Sequence, residues 1–182
     1  VFLAGHIAQT FTEALAERAR NGVRVHLLLD WSGSISIDDP LIQTMLHAGV
    51  EVQYYHPLHW YHLGRMNNRT HRKLLIVDGK CGFIGGAGIG DEWIGNADSV
   101  ENWRDSHFEV TGPVVAQLQA AYLDNWLKTA GHLLHGEAYF PILTEHGGMR
   151  AQGLASSAAG GSDSMHLFHI IVLGAAEESI EV

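Results

Sequence analysis

The chain has almost no cysteine, little positive charge and no long apolar run. Its single cysteine, Cys81, rules out an internal disulfide and a zinc site built on paired thiolates. It reads instead as a small buried residue in a glycine-rich strand. No window approaches the roughly 18 consecutive apolar residues that a membrane-spanning helix requires. Eleven basic residues stand against 20 acidic ones, a net charge of −9. That balance disfavours nucleic acid as a partner, because such binding draws most of its affinity from Lys and Arg on phosphates. The first residues, Val1-Phe2-Leu3-Ala4-Gly5, lack an initiator Met and the basic opening of a signal peptide. Both ends read as cut. At 182 residues, 46% of them apolar and 17% charged, the chain is long enough for one good core and short for two complete domains.

The scarce positive charge is unevenly placed. Arg65, Arg69, Arg72, Lys73 and Lys80 are five of the eleven basic residues. An acidic chain that gathers its cations in one stretch is expected to meet a small anion there. Around that stretch the pattern alternates between helix and strand. Ile7, Phe11, Leu15 and Arg18 recur at helical spacing, which predicts an amphipathic helix over 6–20 that stops at Asn21-Gly22. A buried strand over 23–29 follows, closed by Asp30 and the turn Trp31-Ser32-Gly33-Ser34. Asp38-Asp39-Pro40 opens a second helix with the apolar face Leu41, Ile42, Met45 and Leu46, and Gly49 stops it. Residues 50–54 alternate as a strand. Strand, helix and strand within about thirty residues form a βαβ unit with parallel strands, which sets the class as α/β.

Beyond an irregular polar stretch at 55–70, Leu74-Leu75-Ile76-Val77 is an apolar strand. Asp78-Gly79 is a hairpin signal, and 81–84 returns as the partner. Gly85, Gly86, Gly88 and Gly90 make a glycine-rich loop. A further strand is expected over 103–110, and Gly112-Pro113 opens a helix through Val114, Leu118, Tyr122 and Trp126. Residues 147–164 read as a linker. A helix is expected over 165–178, with a new strand beginning at Ile180.

The chemistry concentrates in His71-Arg72-Lys73-Leu74-Leu75-Ile76-Val77-Asp78, of the form H-x-K-x-x-x-x-D. On an extended backbone, alternate side chains share a face, so His71 and Lys73 point the same way about 7 Å apart. A phosphate fits across that gap. An imidazole titrating near about 6.5 is a competent nucleophile or general base at neutral pH. An ammonium group stabilises charge developing on a pentavalent phosphorus. The apolar run that follows anchors both groups in the core. Asp78, an odd number of positions from His71 and at the hairpin bend, is assigned a structural role: capping backbone N–H groups or pairing with a cation.

His71-x-Lys73, then Asp78 and then Gly85-Gly86, resembles the HKD signature of the phospholipase D superfamily. Asn68-Arg69-Thr70-His71-Arg72-Lys73, Gly90-Asp91-Glu92-Trp93 and Trp103-Arg104-Asp105-Ser106-His107 resemble its cardiolipin synthase-like branch. The resemblance runs from about residue 5 to 130, and more weakly through 165–182. It implies an α-β-α sandwich with a mixed, mainly parallel sheet flanked by helices. It implies phosphodiester transfer on phospholipids through a phosphohistidine, or hydrolysis of the same bond, with no metal and no organic cofactor. Each such site needs two HKD motifs, and this chain has one. The expected organisation is therefore a first half over 1–146, with its signature at about 65–92, a linker over 147–164 and the start of a second half over 165–182. The expected partners are a phospholipid, a second HKD half from the same chain or another subunit, and a membrane surface, with residence on the cytoplasmic face.

In this reading His71 is the nucleophile or acid/base and Lys73 the phosphate ligand. The family also places a carboxylate beside the nucleophilic histidine to set its tautomer. Asp105 is the candidate, with a surface ion pair to Arg104 as the alternative. Gly86, Gly88 and Arg69 are candidate phosphate contacts, although Gly88 stands where the family usually carries an asparagine whose amide donates to the phosphate. A nest of glycine amides would be a substitute donor.

Other features are set against this reading. His56, His59 and His62 recur every third residue, but a proline interrupts them and no metal-ligand spacing exists. They read as loop histidines or as the rim of a substrate entrance. The glycine-rich loop resembles a dinucleotide loop, yet Asp91-Glu92 would place negative charge against a pyrophosphate. Trp93, Trp103 and Trp126 are expected in the core. Two rival functions remain: a single-HKD homodimeric nuclease and a non-catalytic module that holds a lipid phosphate.

Overall fold

The computed structural model describes residues 1–34, 37, 39–55, 70–156 and 163–181. Arg65, Arg69 and the histidines at 56, 59 and 62 lie outside the described residues. The first helix, α1 (His6–Arg20), is followed by β1 (His26–Asp30), α2 (Asp39–Ala48) and β2 (Glu51–Tyr55). Then come β3 (Lys73–Val77), β4 (Cys81–Gly85), β5 (His107–Thr111), α3 (Val114–Ala130) and α4 (Ser164–Gly174). Gly49 and Gly131 end α2 and α3 in left-handed conformations, φ 95° and 73°, where a residue with a Cβ would be strained.

The βαβ unit forms as its spacing predicts. β1 and β2 pair in parallel, His26 opposite Glu51 through to Asp30 opposite Tyr55. Alternation along β1 serves two cores. Leu27 and Leu29 turn to α1 and α2, where Phe2, Ala8, Ile42, Met45 and Val50 are buried. Leu28 turns to the opposite face, against Leu123, Trp126 and Leu134. The β1–β2 pair is thus sandwiched between the first two helices and α3. Trp126 has no exposed surface, and truncating so large a buried side chain to alanine costs about 3–5 kcal/mol. Beside it, the Tyr122 hydroxyl donates to the His26 carbonyl at 3.0 Å, and burial pushes that phenol far above its usual range.

The remaining strands are antiparallel, in the order β3-β4-β5. A mainly parallel sheet was expected; among the described strands one pairing is parallel and two are antiparallel. The cause is local. Asp78 and Gly79 take φ 53° and 64°, the left-handed pair that a tight hairpin needs, and a three-residue turn can return a strand only antiparallel. Gly79 is further restricted because a Cβ there would lie 2.6 Å from the Tyr139 carbonyl oxygen. Helix α3 also packs against β3, β4 and β5. It approaches β4 at Gly82, where a Cβ would come within 2.9 Å of Leu118 Cδ1.

Six sequence expectations shift. The buried stripe of α1 is Ala8, Thr12 and Ala16, one residue round from the expected Ile7 and Phe11, because small side chains let α1 and α2 approach closely. β5 starts at His107 rather than at 103, since the Trp103 N–H donates to the Glu92 carbonyl at 2.7 Å and draws the preceding chain away from the sheet. Trp103 is consequently 66% exposed, not in the core. Helix α4 ends at Gly174, and Ile180 lies outside any strand. Cys81 is half-buried, with its thiol 3.6 Å from a Glu109 carboxylate oxygen. Among the described residues no helix is long and apolar enough to cross a membrane.

Candidate active site

His71 precedes β3 by two residues, in a stretch, Thr70 to Arg72, that belongs to no helix or strand. Its neighbours are anchored on both sides. The Thr70 N–H donates to Asp30 Oδ2 at 2.9 Å, and the Thr70 hydroxyl accepts from Asn125 Nδ2 at 3.0 Å. Arg72 Nη1 donates to the Ala121 carbonyl at 2.7 Å. Asp30 ends β1, while Ala121 and Asn125 lie one turn apart on α3.

The His71 and Lys73 side chains converge. Lys73 Nζ lies 3.1 Å from His71 Nδ1 and 2.9 Å from Nε2. His71 is exposed and Lys73 half-buried. The ammonium charge holds the His71 pKa below the ordinary histidine value, burial adds to this, and the Asp30 charge opposes it. A histidine so depressed is neutral at neutral pH and keeps a lone pair for attack. Burial likewise lowers the Lys73 pKa, with Asp105 opposing.

Asp105 reaches this neighbourhood from the loop ahead of β5. Its carboxylate sits over the Cα of Gly86, filling the space a Cβ would occupy, and Oδ1 accepts the Ser106 N–H at 2.9 Å. Among the described residues no hydrogen bond joins Asp105 to the His71 ring; its charge acts on Lys73. The Gly86 N–H is committed to the Ser106 carbonyl at 3.1 Å, so what Gly86 contributes is room rather than a donor. Gly88 lies beneath the Trp93 indole: a Cβ there would stand 2.9 Å from Cη2 and Cζ3. None of Gly85, Gly86, Gly88 and Gly90 has the positive φ of an alternating anion nest. Asp78 is at the far end of β3, about 17 Å from Lys73 at strand spacing, in the hairpin bend.

Four residues of structural weight escaped the sequence reading as site elements: Asp30, Thr70, Asn125 and Asp91. Asp91 accepts the His6 and Ile7 N–H groups at 2.9 and 2.8 Å and so caps α1. Those bonds hold its carboxyl below the usual range. The negative charge that argues against a dinucleotide loop is thus spent on a helix start. A buried Asp at a strand's end, as at Asp30, was the one available signal.

The family model described as cardiolipin synthase, PLD-like domain, matches residues 2–124. The chain is 37% identical over 167 residues to cardiolipin synthase A of Pseudomonas fluorescens Pf-5, covering 91% of this chain and 34% of that protein. It is 33% identical over 192 residues to cardiolipin synthase 1 of Bacillus cereus, covering 99% and 37%. It is 37% identical over 160 residues to the cardiolipin synthase of Geobacillus kaustophilus, covering 86% and 31%. The chain therefore spans about a third of the length of these curated relatives. No solved structure matches it. With the H-x-K pair converging at the entrance to β3 and a family match over two-thirds of its length, the chain belongs to the phospholipase D-like domain family of cardiolipin synthases.

Proposed function

We propose that this chain supplies one HKD half of a phosphatidyltransferase acting on phospholipids by way of a phosphohistidine. The observation that carries this reading is the Lys73 ammonium resting against both ring nitrogens of His71. It keeps the imidazole neutral and sets a cation where phosphate oxygens would be held. In the first step a His71 ring nitrogen attacks phosphorus. An N–P bond forms, the P–O bond to the leaving alcohol breaks, and a histidine of the second half gives that alcohol its proton. In the second step that histidine takes the proton of the acceptor alcohol, whose oxygen attacks phosphorus and releases His71. As phosphate binds, the Lys73 ammonium turns from the ring to the phosphate oxygens, freeing the lone pair and stabilising charge in the transition state. Asp105, seated on Gly86, keeps Lys73 charged, and Asp78 shapes the hairpin behind it. Arg69, two residues upstream of His71, adds a second phosphate contact.

The face of the antiparallel sheet that carries Lys73 is open, with Leu75 and Val77 41% and 43% exposed. That supports a second HKD half, from the same chain or another subunit, completing the site. Helix α4, whose apolar side chains are all exposed, belongs in this reading to the start of that half. The net charge of −9 disfavours nucleic acid as the substrate; in this reading the substrate is a phospholipid at the cytoplasmic face of a membrane.

The test is phosphatidyl transfer by the complete protein on phosphatidylglycerol vesicles, following cardiolipin and released glycerol. We expect His71→Ala to abolish both products, and an acid-labile phosphoenzyme to be trapped on wild type, but not on His71→Ala, by a rapid denaturing quench at alkaline pH during turnover. Turnover that survives His71→Ala unchanged would overturn the mechanism.

A further inference from the structure

We propose that Asp30, Thr70 and Asn125 form a clamp that fixes the backbone entering His71, making all three positioning residues for the nucleophile. The inference rests on the reading of His71 given above. His71 gains nothing from the sheet: ladder pairing begins only at Lys73, opposite Gly85. Without other restraint, an exposed residue outside the ladder would sample many backbone states.

The restraint comes from two distant elements. Asp30 lies 40 residues before Thr70 and Asn125 lies 55 after it. Each is nearly buried, at 8% and 6% exposure, so their hydrogen bonds are shielded from competing water. Asp30 is itself fixed, because its other carboxylate oxygen accepts the Gly33 N–H at 3.0 Å and ties the end of β1 to the turn that follows. Thr70 is therefore gripped twice, through its amide by β1 and through its hydroxyl by α3. Arg72, on the other side of His71, reaches the Ala121 carbonyl one turn before Asn125. Both flanks of the nucleophile are thus referred to the same helix. A buried asparagine in the middle of α3 has no packing advantage over leucine; holding the Thr70 hydroxyl is what its amide does there.

The functional consequence is geometric. Attack on phosphorus requires the ring nitrogen near 3–3.5 Å and in line, and about 1 Å of misplacement costs on the order of 100-fold in rate. Lys73 sits in the sheet and is held independently, so phosphate binding is largely spared when the clamp is loosened. The loss should fall on kcat and not on KM.

The experiment compares Thr70→Val, Thr70→Ser, Asn125→Leu and the double variant Thr70→Val/Asn125→Leu with wild type and His71→Ala. Each uses the complete protein on phosphatidylglycerol vesicles, with Tm measured alongside. Thr70→Val and Asn125→Leu should each lower kcat by about 10- to 100-fold with KM within about twofold. Thr70→Ser, which keeps the hydroxyl, should recover most of that loss. The double variant should be no worse than the weaker single one, because both changes delete the same bond. If His71→Ala retains activity, the reading of the site fails, whatever the clamp variants do. If His71→Ala is inactive while Thr70→Val keeps kcat within about twofold, the clamp is refuted. Losses confined to KM, or simply multiplied in the double variant, refute it as well. Should Asn125→Leu fail to fold, the contrast between Thr70→Val and Thr70→Ser decides the matter alone.

Discussion

Two adjacent glycines make opposite demands, and exchanging each for alanine separates stability from activity. A Cβ on Gly85 would collide with the Ser106 carbonyl oxygen and stand 2.6 Å from the His107 Cα. Both are backbone atoms of the chain entering β5, paired with β4 from Gly85 opposite His107 onward. They cannot yield without breaking that ladder. Gly85→Ala should therefore cost about 3 kcal/mol, the upper end for overpacking. The three atoms nearest a Cβ on Gly86 all belong to the Asp105 carboxylate, the end of an exposed side chain that can rotate away. Its stability cost should be about 1 kcal/mol or less. The carboxylate would nonetheless leave the neighbourhood of Lys73, whose charged form it supports. Urea denaturation of the two variants should show a large drop in midpoint for Gly85→Ala and a small one for Gly86→Ala. Phosphatidyl transfer should fall in Gly86→Ala while its fold persists. Full activity in a folded Gly86→Ala protein, or equal destabilisation by both substitutions, would show that Asp105 does not occupy the space over Gly86 or does not matter there.

Removing the ammonium by Lys73→Met should raise the His71 pKa towards the ordinary value of about 6.5, because the Lys73 charge is the chief cause of its depression. The titration is followed by NMR on labelled histidine, assigned with His71→Gln, and an unmoved or lowered midpoint contradicts the electrostatic argument. Gly88→Asn, which restores the residue the family usually carries, should lower Tm and give no gain in kcat, since a Cβ would press to 2.9 Å on the Trp93 ring; a faster enzyme would mean the indole gives way. His26 is shifted down by burial, with Glu51 opposing, so the folded state favours its neutral form. Its contribution to stability is present above about pH 6.5 and is lost as pH falls from there through the lower folded-state value. The urea midpoint should decline between about pH 7 and pH 5, less steeply in His26→Gln, and identical slopes would refute the assignment.

Much of the architecture was legible because it is local. Helix limits at Asn21-Gly22, Gly49 and Gly112-Pro113, and the Asp78-Gly79 hairpin, follow from residues whose backbone preferences act within a few positions. The nearness of His71 and Lys73 follows from their separation of two residues, but the strand expected to carry both begins only at Lys73, and their side chains meet at 2.9 and 3.1 Å instead of standing about 7 Å apart on one face. The face of α1 was misjudged because the choice between Ile7 and Ala8 depends on how closely α2 packs. The exposure of Trp103 was missed because it turns on one hydrogen bond to Glu92.

The sequence alone determined the α/β class, the cationic stretch and the histidine–lysine pair. Each arises from propensity, charge or alternation over a few residues. Tertiary structure alone decided that Asp105 settles over Gly86 beside Lys73, that Asp91 caps α1 across 84 or 85 residues, and that Asp30 and Asn125 grip Thr70. Contacts at such separations leave no spacing to read. They exist only once the packing of α3 against the sheets and of α1 against its cap has brought the groups within hydrogen-bonding reach.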